Sequence, residues 1–419
     1  MLKEFSFRNC RSFKDESVLS MEANYALKDN IHFVAQRGSE GNTIYLNPVT
    51  AIYGSNAGGK TNLLRALRDA LENIYVGLSL RNIPYMYNSN IFMHKLVVIY
   101  DNLEYEYEYT INNSRVLKES LWIRDLSVKG PRKEIFVRDG ASIKKSIYQK
   151  EEPKKAFLGM IASNEETLIM KIAGEVGFEY FTPFYKWCGN VVIDMRDLGE
   201  KKRHAALNKY ATELYANEHG GSELTAFMNF MIKLDPAISR LSVVPDNPPD
   251  QKKEAAESDA KKRGARLVTW HKKKEKGKEV SVPFPIEFAS NGTKKLMELY
   301  PLIKKALEEG IPFVCDELDT LLHPLVFKQI VAMFNDNECN RNGAQLIFTA
   351  HNTIVMNREC LRRDEVHFVD KNEYGESSVF RLSDVVNEGN KIRMDALYDR
   401  LYLMGSFGAI PELFQEAVV

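Results

Sequence analysis

A glycine-rich loop between a strand pattern and a helix pattern constrains this chain more than any other feature. Residues 49–53 are an apolar run typical of a strand, and residues 62–75 carry leucine and alanine at helical spacing. The loop between them, residues 54–61, fits the pattern GxxxxGK[ST] at every position. The sequence therefore predicts a phosphate-binding loop at the start of a helix, within an α/β fold.

Each residue type in this loop has a chemical reason to be there. Glycines let backbone N–H groups close around a β-phosphate, and Lys60 would neutralise charge on the β- and γ-phosphates. Thr61 would place its hydroxyl on Mg²⁺. We predict ATP and Mg²⁺ as cofactors, and the nucleotide-binding residues of this loop as Gly54, Ser55, Asn56, Ala57, Gly58, Gly59, Lys60, Thr61 and Asn62.

A second motif narrows the class of phosphate-binding protein. Residues 311–315 are an apolar strand pattern, and the acidic pair Asp316 and Glu317 follows directly. The first carboxylate would hold a Mg²⁺-bound water together with Thr61, and Glu317 would polarise the water that attacks the γ-phosphate. The pair predicts ATP hydrolysis, with Glu317 and Lys60 as catalytic residues.

Composition limits the functional classes. The chain has 419 residues, 44% of them hydrophobic, which suffices for two or three domains or for one large domain with an insertion. Acidic and basic residues balance at 57 each, so no global field draws the chain to nucleic acid or membranes. The five cysteines never stand in CxxC spacing, and no long apolar run occurs. We expect a cytoplasmic protein without zinc or membrane contact.

Patterning along the chain predicts its organisation. Alternating residues around the turn Asp101-Asn102 indicate an antiparallel sheet, and segments between 150 and 240 are mostly helical in pattern. We predict an α/β fold with a mixed or parallel P-loop sheet, an antiparallel β subdomain and an inserted helical lobe, an organisation that resembles an ABC-type ATPase head. The expected domains are 1–125 with the P-loop, 126–285 as the lobe and a basic loop or frayed hairpin, and 286–419.

Residues 288–294 (FASNGTK), which precede the acidic pair, resemble the signature motif of ABC-type ATPases, in an S-x-G-T form. In that class the signature binds the γ-phosphate of ATP held by the other subunit, using the N-terminus of a helix. The resemblance implies that Ser290, Gly292 and Thr293 bind nucleotide across a homodimer. From the residues alone, Ser290 equally fits a cap of the helix that begins at Thr293.

A histidine follows the last strand pattern of the predicted sheet. His351 comes directly after residues 346–350, and in the ABC class a histidine at this position contacts the γ-phosphate and the attacking water. The resemblance implies a catalytic role for His351, and a surface histidine after a strand is the alternative. His323 lies in the loop after the acidic pair, where the class usually has an aspartate.

Six motifs in order extend this resemblance over both ends of the chain. They are residues 7–16 (FRNCRSFKDE), 54–62 (GSNAGGKTN), 289–294 (ASNGTK), 316–324 (DELDTLLHP), 348–352 (FTAHN) and 405–411 (GSFGAIP). Together they resemble small prokaryotic stand-alone ATPases of the SMC, RecF and OLD superfamily. The nearest resemblance is to the ATPase subunits of phage-defence systems of the PARIS and RloA kind.

The resemblance implies a role in regulating another protein. Such an ATPase forms a homodimer or higher homo-oligomer and controls a separate effector, such as a Toprim-type or other nuclease, in response to a phage protein. No glutamine stands out as a Q-loop between residues 92 and 111, which departs from the pattern. Few residues follow His351, so we expect no nuclease domain in this chain.

A DNA-repair ATPase of the RecF kind is the alternative function. The basic run at residues 252–278 favours it, because clustered lysines attract the negatively charged phosphates of nucleic acid. The same run also fits a solvated loop. An SMC-type tether is disfavoured because the insertion lacks sustained heptads.

Overall fold

The computed structural model describes residues 1–24, 35–38, 43–78, 83–87, 90–112, 115–195, 199–216, 221–246, 264–284, 286–387, 390–393 and 396–410. The strands are β1 (Leu2–Arg8), β2 (Ser17–Ser20), β3 (Ala35–Arg37), β4 (Ile44–Leu46), β5 (Val49–Tyr53), β6 (Ile91–Tyr100), β7 (Leu103–Asn112), β8 (Arg115–Asp125), β9 (Lys133–Asp139), β10 (Ser142–Ser146), β11 (Val192–Asp194), β12 (Ile238–Pro245), β13 (Ala265–Glu275), β14 (Lys278–Phe284), β15 (Pro312–Cys315), β16 (Gln345–Thr349), β17 (Val366–Lys371), β18 (Ser377–Arg381), β19 (Val386–Asn387) and β20 (Asn390–Lys391). The helices are α1 (Lys60–Tyr75), α2 (Glu152–Ser163), α3 (Ile169–Val176), α4 (Thr182–Asn190), α5 (Gly199–Ala216), α6 (Gly221–Leu234), α7 (Asn291–Glu309), α8 (Pro324–Asn335) and α9 (Tyr398–Leu403).

A six-stranded sheet carries the glycine-rich loop. Its order is β11, β15, β16, β5, β17, β18, and all neighbours are parallel except the edge pair β17 and β18. Every residue of β5, β15 and β16 is buried, which explains their continuous apolar runs. Because β5, β15 and β16 are parallel neighbours, the segments that follow their carboxyl ends meet at one edge of the sheet.

A seven-stranded antiparallel sheet forms the second layer of the same unit, in the order β10, β9, β8, β7, β6, β1, β2. The β6–β7 turn has Asp101 and Asn102 at φ 50° and 59°, the positive values that a two-residue hairpin needs. Tyr105, Tyr107 and Tyr109 are buried on one face, so the tyrosine row belongs to the core. The antiparallel sheet and its turn are as predicted.

A buried ion pair joins this sheet to two helices. Arg138 on β9 and Glu119 on β8 are fully buried, with 3.3 Å between Nη1 and Oε2. The Glu119 carboxylate accepts hydrogen bonds from the backbone N–H groups of Ile169 and Met170 at the start of α3. Arg138 donates to the Ala162 carbonyl in α2. The pair thus satisfies backbone groups at the ends of two helices.

The chain divides into two compact units. The first comprises Met1–Asp194, Ala306–Leu318 and Lys328–Val419, and the second comprises Met195–Lys305 and Asp319–Phe327. In the second unit, α5 and α6 accompany the three-stranded sheet β12, β13, β14. An aromatic cluster supports it, with the rings of Phe227 and Tyr300 stacked 4.3 Å apart between centroids.

The fold class is as predicted, mixed α/β with a P-loop sheet that is parallel except at one edge and an antiparallel subdomain. The insertion contains helices and also strands β9, β10 and β12, which were not predicted, and β13 and β14 form a hairpin, one of the two alternatives predicted for the basic segment. The compact units change over along the chain at residues 194–195, 305–306, 318–319 and 327–328. Of the basic segment, residues 265–284 form a hairpin, and residues 247–263 lie outside the described part. No described helix is both long and apolar enough to span a membrane.

Candidate functional site

The glycine-rich loop is held so tightly that two of its positions require glycine. Gly54 has φ +150°, and a Cβ there would lie 2.1 Å from the carbonyl oxygen of Val369. Gly59 has φ +122°, and a Cβ there would lie 2.6 Å from the Ser377 hydroxyl. Both φ values are ones that L side chains rarely adopt. The loop leaves β5 and enters α1 at Lys60, which is the arrangement that the motif requires.

Two serines outside the motif fix the loop from one side. Ser377 on β18 donates its hydroxyl to the Gly58 carbonyl at 2.7 Å, and its backbone N–H donates to the Ser12 carbonyl at 2.7 Å. The Asn62 side chain donates to the Ser12 hydroxyl at 3.0 Å. The N-terminal motif at residues 7–16 therefore contacts the phosphate-binding loop, although the two are far apart in sequence.

Lys60 lies over the loop. Its ammonium group donates to the carbonyls of Gly54 at 2.9 Å and Ser55 at 3.1 Å, and the residue is 6% exposed. A cavity of about 300 Å³ opens beside it. The cavity is lined by Ser55, Asn56, Ala57, Gly58, Gly59, Lys60, Thr61, Asn62, Glu317 and His351.

The acidic pair lies next to the glycine-rich loop, because both follow the carboxyl ends of strands in the same parallel sheet. The Thr61 hydroxyl lies 3.0 Å from Asp316 Oδ2 and 3.2 Å from Oδ1. Asp316 is 3% exposed, and its backbone N–H donates to the Asp194 carbonyl at the end of β11. The first carboxylate of the pair thus adjoins the predicted metal-binding threonine.

Thr349 forms hydrogen bonds with both acidic residues, although it was not predicted as a site residue. Its hydroxyl donates to Asp316 Oδ1 at 2.7 Å and accepts the backbone N–H of Glu317 at 2.7 Å. Thr349 is the last residue of β16, next to β15 in the sheet. The available signal was a hydroxyl residue at the end of an apolar strand, two positions before His351.

Glu317 has a strained backbone at the cavity wall. Its φ is 51°, a left-handed conformation that costs a residue other than glycine about 1 to 3 kcal/mol. Such strain persists where the surroundings hold the residue, as the Thr349 hydroxyl does here. Exposed His351 lines the same cavity, two residues after Thr349.

The donor set of this edge suits Mg²⁺. Thr61 and Asp316 offer hydroxyl and carboxylate oxygens, the ligands of a hard cation that retains several waters. Among the described residues, no group of three or more histidine, cysteine or acidic side chains forms a metal site. The residues therefore fit a cation held partly by phosphate and water, and not one that needs a full protein cage.

The signature residues belong to the second unit. The Ser290 hydroxyl accepts the backbone N–H of Thr293 at 3.1 Å and lies 2.9 Å from the Thr293 hydroxyl, which donates to Asp235. Ser290 is exposed and caps α7, so the capping interpretation fits the geometry. A Cβ at Gly292 would lie 2.8 Å from the Leu321 carbonyl. His323 Nδ1 accepts the Leu325 N–H at the start of α8.

Helix α9 and the first residues of the C-terminal motif that follows it pack against the strands next to the loop. The Tyr402 ring lies 6.2 Å from that of Tyr53 and 5.3 Å from that of Phe368, between centroids. Phe407 contacts Phe368 at 5.5 Å, and the Tyr402 hydroxyl donates to the Ala409 carbonyl. In the described part of this motif, residues 405–410, Phe407 and Ala409 therefore belong to the core around β5 and β17.

The arrangement of Lys60, Thr61 and Asp316 is that of a P-loop protein, in which a glycine-rich loop and the acidic end of a buried strand meet at one edge of a parallel sheet. Residues 176–357 match the protein family described as "AAA domain, putative AbiEii toxin, Type IV TA system". The matched segment contains the acidic pair and His351 and begins after the glycine-rich loop. A search of curated proteins finds no match.

Several solved structures are similar. The SMC head bound to the C-winged helix domain of ScpA is 14% identical, covers 91% of this chain and 97% of its own, and has a TM-score of 0.46. The SMC head domain from Thermotoga maritima is 16% identical, with coverage of 91% and 98% and a TM-score of 0.39. The recombination mediator protein RecF is 14% identical, with coverage of 91% and 98% and a TM-score of 0.34.

Proposed function

We propose that this protein binds ATP with Mg²⁺ in the cavity lined by the glycine-rich loop and hydrolyses it. One observation carries the proposal: Asp316 lies 3.0 Å from the Thr61 hydroxyl and is held by Thr349, beside a loop that contains Lys60. The loop with its lysine and hydroxyl, the Asp316 carboxylate and Thr349 come from three separate segments and meet at one edge of the parallel sheet. This is the edge at which α/β proteins bind ligands.

Each side chain has a distinct part in the proposed reaction. The loop N–H groups and Lys60 bind the β- and γ-phosphates, and Thr61 and Asp316 orient the waters and oxygens around Mg²⁺. Bound Mg²⁺ would offset the negative charge that develops on the phosphates. Glu317 accepts a proton from the attacking water, and His351 donates a hydrogen bond toward the γ-phosphate. These roles are supported because Glu317 and His351 line the same cavity as the glycine-rich loop.

We further propose that two copies form composite sites, with Ser290, Gly292 and Thr293 of one copy completing the nucleotide site of the other. The exposed cap of α7 supports this, because a helix N-terminus attracts a phosphate group. A regulatory role in anti-phage defence, with a separate nuclease effector and a phage trigger, extends the proposal. Its support is the resemblance of the six motifs and the family description, which mentions a putative toxin.

A RecF-like DNA-binding ATPase is the second candidate. The β13–β14 hairpin favours it, because lysines 272–274, 276 and 278 are exposed along it. On the same sheet, the Arg240 guanidinium stacks over the Trp270 ring at 4.3 Å. Exposed cations beside an aromatic ring suit contacts with phosphates and bases.

Two substitutions separate nucleotide binding from hydrolysis. Lys60→Ala removes the cation that neutralises the phosphates, so we expect ATP affinity to fall by about ten- to a hundredfold. Glu317→Gln keeps the shape of the site, so ATP should still bind while hydrolysis falls by about a hundredfold or more. Both are measured by titration with a fluorescent ATP analogue and by phosphate release.

Lys129→Ala, an exposed lysine on the β8–β9 connection, is the matched control and should leave both measurements unchanged. Parental phosphate release by Glu317→Gln would contradict the role given to Glu317. Unchanged ATP affinity in Lys60→Ala would remove the basis of the whole proposal.

A further inference from the structure

The outer edge of β10 ends the antiparallel sheet. Among the described strands, β10 pairs only with β9. In an antiparallel strand, alternate backbone N–H and C=O groups point to opposite edges, so β10 also presents hydrogen-bonding groups away from β9. Such an edge is a template on which another strand can add.

A groove lies between this edge strand and the helix that follows it. A cavity of about 540 Å³ is lined by residues of β10 and α2, the helix that follows it. Ile143, Ala156 and Leu158 give it an apolar part, and Gln149 and Lys155 are polar groups at its wall. A Cβ at Gly159 would meet no atom within 4 Å, so the helix side of the groove has room for an incoming side chain.

The surroundings of the groove are basic. Residues 142–159 contain five lysines and two glutamates, and Glu134 on β9 pairs with Lys145 at 3.4 Å, so an excess of two positive charges remains. Lys144 and Lys145 lie on the edge strand itself, and both are exposed. Glu152, the carboxylate among the lining residues, already pairs with Lys155 at 2.9 Å. The field at this edge therefore favours a negatively charged occupant.

We propose that β10 and this groove bind an extended, acidic segment of a partner protein, which adds to the sheet as a further strand. Backbone hydrogen bonds to β10 would supply affinity, alternate apolar side chains would enter the groove, and carboxylates would face the lysines. A second copy of β10 is a poor occupant, because the lysines of the two edge strands would repel each other. The edge thus selects against self-association and for an acidic strand.

The test uses the full-length protein and a fluorescein-labelled heptapeptide that alternates valine and glutamate. Two further versions carry N-methyl groups on either set of alternate amides, and only one set faces β10 in a paired strand. We expect the unmodified peptide to bind in fluorescence anisotropy, one methylated version to lose binding, and the other to keep it. The double variant Lys144→Glu, Lys145→Glu should bind about tenfold more weakly.

The double variant Lys118→Glu, Lys129→Glu makes the same change in charge at two other exposed lysines and should bind the peptide as the parent does. ATP hydrolysis should be unchanged in the Lys144→Glu, Lys145→Glu variant, since neither lysine belongs to the nucleotide site, and this also shows that the protein is folded. Binding that both methylated peptides retain would mean simple charge attraction and would overturn the proposal. So would no binding, or a duplex DNA oligonucleotide that binds with the same sensitivity to the lysine variant.

Discussion

At the scale of single residues, Thr349 connects the two acidic groups of the site. Its one hydroxyl donates to the Asp316 carboxylate and accepts the Glu317 N–H, both at 2.7 Å. The glycine-rich loop and the acidic pair were predictable from sequence because their chemistry needs fixed spacing along the chain. Thr349, Ser12 and Ser377 were not, because they reach the site only through strand pairing and turns that bring distant residues together.

Thr349→Val tests this connection while nearly preserving volume. Valine removes the hydroxyl, so Asp316 loses a donor and the strained Glu317 loses the acceptor of its N–H. We expect hydrolysis at saturating ATP to fall by about tenfold or more, with a loss of stability of about 1 to 3 kcal/mol. Thr349→Ser keeps the hydroxyl and should retain most activity in the same phosphate-release and thermal-melting assays. Equal loss in both variants would mean that packing, and not the hydroxyl, is what matters.

At the scale of elements, the β13–β14 hairpin shows where sequence patterning leaves two alternatives open, here a loop and a frayed hairpin. Its solvent-exposed lysines mask the alternation that marks a strand, although buried Ala265, Leu267 and Thr269 alternate along the inner face. The turn at Lys276-Gly277, with φ 49° and 79°, was the available signal. Strands fully buried in the parallel sheet were easier to predict, because their apolar runs are continuous.

The hairpin also decides between the two candidate functions. If its lysines bind phosphates, the double variant Lys272→Ala, Lys274→Ala should lower affinity for duplex DNA and reduce the slope of log affinity against log salt by about two. Affinity is measured by fluorescence anisotropy across a salt series. The variant Lys118→Ala, Lys129→Ala changes the same charge elsewhere and should match the parent. An absence of salt-dependent DNA binding in the parent would exclude the RecF-like function.

At the scale of the whole molecule, the proposed dimer makes a prediction that no single copy satisfies. Lys60→Ala should inactivate a copy's own loop, and Ser290→Arg should block the site of its partner, so each variant alone should be inactive. In an equal mixture, half the dimers would be mixed and each would hold one intact site. We therefore expect about one quarter of the parental phosphate release. No recovery, when mixed dimers are shown to form by differential tagging, would contradict the composite site.

The register of the parallel sheet has a consequence for biosynthesis. Val49 on β5 pairs with Leu346 on β16, nearly 300 residues later in the chain. The strand that leads into the glycine-rich loop therefore cannot pair with β16 until that later segment has been synthesised. At about 5 to 20 residues per second, a ribosome needs about 15 to 60 s to make that interval. During that time the loop has no acidic partner, and a nascent or prematurely terminated chain cannot assemble the site. The proposed nucleotide turnover thus begins only after translation has passed Thr349, the last residue of β16.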